Sequence, residues 1–118
     1  MQPDRIRAMA LALPEAVESA HMGRPDFRVR GKIFATLSVE QGLAMVKLTR
    51  EQQELLCAAE PEIFSPVPGG WGRSGSTHLR YAAADEAVVA SALRLAWRNV
   101  APRRLTAEID HKSEPPRP

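Results

Sequence analysis

Apolar positions recur at helical spacing near the start of the chain, at Ile6, Met9, Ala10 and Leu13. Pro3 and Asp4 suit a first turn, and Pro14 stops the helix because it cannot continue the backbone bonding. The stretch Val17 to Asp26, with His21, Gly23 and Pro25, shows no clear period and reads as extended or looping chain. Phe27–Arg30 and Lys32–Val39 then predict two strands joined at Gly31, which tolerates the positive φ of a tight turn. A third strand follows at Leu43–Leu48. Thr49-Arg50-Glu51-Gln52 has the form of a capping box, in which the Thr and Gln side chains satisfy orphan backbone donors at a helix start. Leu55, Leu56 and Ala59 form the expected apolar face of that second helix, and Pro61 ends it.

The segment from Ile63 to Ser76 holds Pro66, Pro68, Gly69, Gly70, Gly72 and Gly75, and predicts a loop anchored on the core by Trp71. A strand at Thr77–Tyr81 comes next. The closing helix, from about Asp85 to Asn99, places Val88, Val89, Ala92, Leu93, Ala96, Trp97 and Val100 on one face. Residues 105–118 are polar, end in Pro115-Pro116-Arg117-Pro118, and read as a flexible tail behind a single domain at 1–104. The order α-β-β-β-α-β-α with hairpin-length links implies an α+β fold, a mainly antiparallel sheet with helices on one face.

Composition narrows the class without naming a chemistry. At 118 residues and 44% hydrophobic positions the chain has one domain's worth of sequence and enough apolar surface for one core. No apolar run approaches the roughly 20 residues that span a bilayer. The stretch Ala8–Leu13 is too short for a secretory signal, and the expected location is the cytoplasm, with Cys57 reduced. One cysteine excludes an intrachain disulfide framework, and His21, His78 and His111 have no metal-ligand spacing. No cofactor, metal or catalytic group is expected. Cys57 reads as a small core residue whose thiol is inert.

The net charge of +2 is modest, but it is banded. Arg24, Arg28, Arg30, Lys32, Lys47 and Arg50 outnumber Asp26 and Glu40 in residues 21–50. Residues 51–70 hold four glutamates and no base, and residues 71–104 are again basic. Bands of one sign make a binding face if folding brings them together. By strand alternation Arg28 and Arg30 share a face, as do His78 and Arg80, while Lys47 lies with Leu43 and Met45 on an apolar surface. Gly70-Trp71-Gly72-Arg73-Ser74-Gly75 satisfies G-x-G-x-x-G, but a strand follows where a dinucleotide site needs a helix.

Several short words in fixed order resemble the MmcQ/YjbR family of small bacterial proteins. They are Leu13-Pro14-Glu15 with Glu18 and His21, then Phe27 with Gly31-Lys32-Ile33-Phe34-Ala35. Lys47-Leu48 running into Thr49-Arg50-Glu51-Gln52, the proline-glycine loop with Trp71, and the closing helix to Trp97 complete the match. The resemblance implies a fold similar to type III secretion chaperones and a DNA-binding role without catalysis. The expected interface is Arg24, Arg28, Arg30, Arg73 and Arg80 on phosphates, with the 66–75 loop as a wing. A chaperone-like protein-interaction module, dimeric or adaptor, is the alternative. A small-molecule pocket near His21, Trp71 and His78 is a third reading.

Overall fold

A computed structural model describes residues 1–21 and 23–107, with His21 described in its backbone only. Helix α1, Pro3–Leu11, carries proline in its first turn and buries Ile6 and Ala10. Four strands follow in a meander: β1 Ala16–His21, β2 Arg24–Val29, β3 Lys32–Ser38 and β4 Leu43–Lys47. Helix α2, Arg50–Ala59, leads to β5 Phe64–Pro66, the one-turn helix α3 Gly70–Arg73, β6 Ser76–Arg80, and a 3₁₀ turn at Tyr81–Ala83. Helix α4, Glu86–Val100, ends the main elements, and residues 103–107 are again helical.

All strands are antiparallel, in the order β1-β2-β3-β4-β6-β5. The α+β architecture with helices on one face is the one the sequence pattern predicts. Register explains how the two faces differ. Phe27, Ala35, Val46 and Thr77 are linked partner to partner, as are Leu37, Ala44, Leu79 and Phe64, and all of these are buried. Against this side pack α4 and α1, with α2 beside β5. Ser19, Asp26, Thr36, Met45, His78 and Ser65 form the corresponding row on the other side. Among the described residues no helix covers that face.

The structure adds β1, β5 and α3 to the expected elements. All of β1 but Ala16 that can be assessed is exposed, so it has no apolar alternation to betray it; backbone pairing with β2 alone makes it a strand. β5 is a three-residue edge strand whose Pro66 lacks a ladder donor, which an edge tolerates. The β2–β3 hairpin turns on Arg30 and Gly31, at φ 51° and 80°. Two successive positive φ values are the two-residue geometry whose twist matches paired strands.

Two packing expectations are corrected. On α2, Leu55 is 71% exposed and Ala59 is also exposed, whereas Gln53 is buried and Leu56 and Cys57 pack at the core edge. The inward face is thus Gln53, Leu56 and Cys57, spaced three and four residues apart. Trp71, expected to anchor its loop on the core, is 68% exposed. The indole that is buried belongs to Trp97, which donates through Nε1 to the Pro14 carbonyl at 3.0 Å. Leu105 is also buried in the core, so the folded part extends past residue 104, while residues 108–118 lie outside the described residues.

Candidate nucleic-acid interface

Strand alternation sends Pro25, Phe27 and Val29 inward and leaves Arg24, Asp26 and Arg28 on the open face. There they wall a concavity of about 630 Å³ whose floor is Ile33, Thr36 and Met45. Lys32 lies at the hairpin end. Lys47 and Trp71 close the opposite side, and Val100 from the end of α4 completes it.

Each wall is positioned by an identifiable contact. Asp26 is 1% exposed, a charge that would be costly to bury alone. It is paired: Arg28 Nε donates to Oδ1 at 2.8 Å and Nη2 to Oδ2 at 3.1 Å. The same bonds raise the Arg28 pKa, chiefly through the hydrogen bond to Asp26. On the other wall, Lys47 Nζ sits 5.4 Å from the Trp71 ring centroid, a cation–π contact at the groove rim. The Lys47 carbonyl accepts from Asn99 Nδ2 at 2.8 Å, tying β4 to the end of α4. Alternation had placed Lys47 beside Met45, and both do line the groove.

The Trp71 segment is held from behind by α2. Gln53 Nε2 donates to the Gly72 carbonyl at 2.9 Å, to the Ser76 carbonyl at 3.1 Å and to Thr77 Oγ1 at 3.2 Å. Gly72 and Gly75 are required by close chain crossings. A Cβ on Gly72 would lie 1.7 Å from the Val67 carbonyl oxygen, and one on Gly75 would lie 1.9 Å from that of Leu48. The G-x-G-x-x-G word therefore serves backbone approach, with only a single helical turn inside it and β6 directly after.

The five expected arginines divide. Arg24 and Arg28 meet in the groove. Arg30 does not share their face, because it sits in the hairpin turn and bonds Glu15 at 2.7 and 3.0 Å; this holds the Glu15 carboxyl below its ordinary range. Arg73 is exposed on α3, two residues beyond Trp71, and does not line the groove. Arg80 donates to the Glu62 carbonyl at 3.2 Å and also lies off the groove. Lys32 and Lys47 take the places that Arg30 and Arg80 leave. Their signal was local: each stands at a strand end, next to the turn or cap that fixes its position.

Of the third reading's residues, Trp71 borders the groove, the His21 side chain lies outside the described residues, and His78 sits farther along the open face. Burial and then the nearby Arg80 lower the His78 pKa. Burial also pushes the Cys57 thiol up, which favours the unreactive form. Among the described residues no three His, Cys, Asp or Glu side chains are grouped to hold a metal, and no helix is long and apolar enough to cross a membrane.

A family model, YjbR, matches residues 11–99. The chain belongs to the YjbR family. Its YjbR domain thus includes β1 to β6 and nearly all of α4, and with them every residue of the groove except Val100. Among solved structures it is similar to the crystal structure of the Deinococcus radiodurans protein DR2400, which carries a DUF419 family-model domain. The TM-score is 0.72 at 18% identity, covering 91% of this chain and 86% of that one. At that identity the likeness concerns the fold alone. No curated protein matches the chain.

Proposed function

We propose that this YjbR protein is a non-enzymatic nucleic-acid-binding module that receives a single-stranded segment, DNA in the first instance, on the open face of its sheet. The observation carrying this reading is Trp71, 68% exposed at the rim of a groove whose other polar positions are mainly cationic. An exposed indole beside a lysine offers a stacking platform for an unpaired base, and bases in a duplex are not free to use it. Arg24, Lys32 and Lys47, with Arg73 close to Trp71 in the chain, supply charge for phosphates. Arg30 and Arg80 are already engaged, which narrows the interface expected from sequence.

With about four phosphates neutralised, log K falls with log salt at a slope near −3 for a single strand. Titrating Trp fluorescence with an oligothymidylate at several salt concentrations tests this, since Trp97 is buried and only Trp71 is open to quenching. Trp71→Ala is expected to weaken binding about tenfold or more, the usual value of one base stacked on an aromatic ring. Lack of binding at low salt, or an affinity indifferent to Trp71, would refute the reading.

The protein-interaction alternative draws on a different feature, an apolar groove of about 290 Å³ between α2 and α4 lined by Leu56, Phe64, Val88 and Leu95. Light scattering that shows a tight dimer, without nucleic-acid affinity, would favour it.

A further inference from the structure

Within the groove, Arg28 differs from the other cations in its bonding. A guanidinium has five N–H donors arranged so that two parallel pairs can form on different edges. Asp26 occupies one edge, through Nε and Nη2. Among the described residues nothing else accepts from Arg28, so both N–H groups of Nη1 and the second of Nη2 are unused. The side chain is 31% exposed and lines the groove, while the carboxylate that orients it is 1% exposed. The guanidinium is therefore locked by a buried partner, with a second fork left over.

That second fork differs from an ordinary phosphate clamp. Its positive charge is already balanced by Asp26 at contact distance, so its pull on an anion is weakened, whereas the direction of its donors is fixed. Among the described residues no carboxylate pairs with Arg24, Lys32 or Lys47. A neutral, planar ligand edge with two adjacent acceptors suits the fork better than a phosphate does. Guanine presents such an edge in O6 with N7, and an unpaired cytosine in O2 with N3. Adenine sets its amino donor between N7 and N1, and thymine sets its N–H between two carbonyls, so neither offers two adjacent acceptors.

We infer that the Arg28–Asp26 unit is a base-reading element that selects guanine or cytosine over adenine and thymine in the groove, while Trp71, Arg24, Lys32 and Lys47 bind without regard to base. This rests on the nucleic-acid reading above and assigns its specificity. Asp26 is a positioning residue that acts through Arg28.

Oligonucleotides of equal length, oligothymidylates carrying one central guanine, adenine or 7-deazaguanine, test it by fluorescence anisotropy. Guanine is expected to bind about tenfold tighter than adenine, the scale of one good bidentate contact. The 7-deaza base, which lacks the N7 acceptor, should lose most of that gain on the unaltered protein. Arg28→Lys, which retains a cation for Asp26 but has no fork, should bring the guanine-to-adenine ratio toward one. Binding without base preference overturns this inference and leaves the reading beneath it standing. Equal weakening of all three strands by Arg28→Lys also overturns it, by making Arg28 a phosphate contact. Absence of binding to any strand overturns both.

Discussion

Gln53 shows how a single side chain can decide where a functional surface stands. The residue is 6% exposed, and its amide reaches three acceptors on the segment from Gly72 to Thr77. In sequence it looks like a polar residue of a surface helix, flanked by Gln52 and Glu54. A buried amide is justified only when its donors are met, and here they are met by the chain that carries Trp71. Gln53→Leu is expected to cost about 1–3 kcal/mol, read from urea unfolding, since it removes hydrogen bonds from a buried site. The same variant should lower the affinity for an oligothymidylate, because the platform loses its support. Gly72→Ala and Gly75→Ala should be more damaging still, as each new methyl meets a backbone carbonyl that cannot move independently. Gly72 is constrained by Val67, five residues back in its own loop, whereas the role of Gly75 depends on Leu48, a distant segment that crosses behind it.

At the scale of elements, those with their own chemical punctuation were legible. The α2 cap is present as read: Thr49 Oγ1 accepts from the Gln52 amide at 3.1 Å, and Gln52 Oε1 accepts from the Thr49 amide at 3.0 Å. Gln52 also accepts from Asn99 at 2.8 Å, which couples the start of α2 to the end of α4. Thr49→Ala should destabilise the protein by about 1 kcal/mol in thermal or urea unfolding, the usual value of an N-cap. The α4 cap is equally plain, with Asp85 Oδ1 accepting from the Val88 amide at 2.9 Å. Elements held only by their neighbours escaped notice. β1 buries neither face, and β5 is too short to show a period.

The whole molecule is a sheet with one covered face and one open face, and His78 on the open side makes one pH-dependent contribution to its stability. His78 faces Met45 and Ser65 across the register, with Arg80 two residues along. Burial and Arg80 hold its pKa below the ordinary value of about 6.5. As pH falls, the unfolded chain takes this proton first. The contribution of His78 to stability is therefore complete above about pH 6.5 and is lost as pH falls through the lower folded-state value. NMR titration should place the His78 midpoint below that of a free histidine, and His78→Gln should flatten the decline in stability on that side; a midpoint above 6.5 would contradict the burial described. Chain order, helix caps and alternation were enough to determine the α+β class, the antiparallel meander and the inward residues of α4, because these follow from local geometry and from which side chains avoid water. The choice of partner for each charge was settled only in three dimensions. Asp26 and Arg28 are alternate residues on one strand, and their pairing depends on a burial that neighbouring strands create. Arg30 is turned to Glu15 by a positive φ, and Trp71 is held outward by an amide from another helix. Charge pairing and the exposure of a large ring depend on distances between segments far apart in the chain, which a pattern along one dimension does not contain.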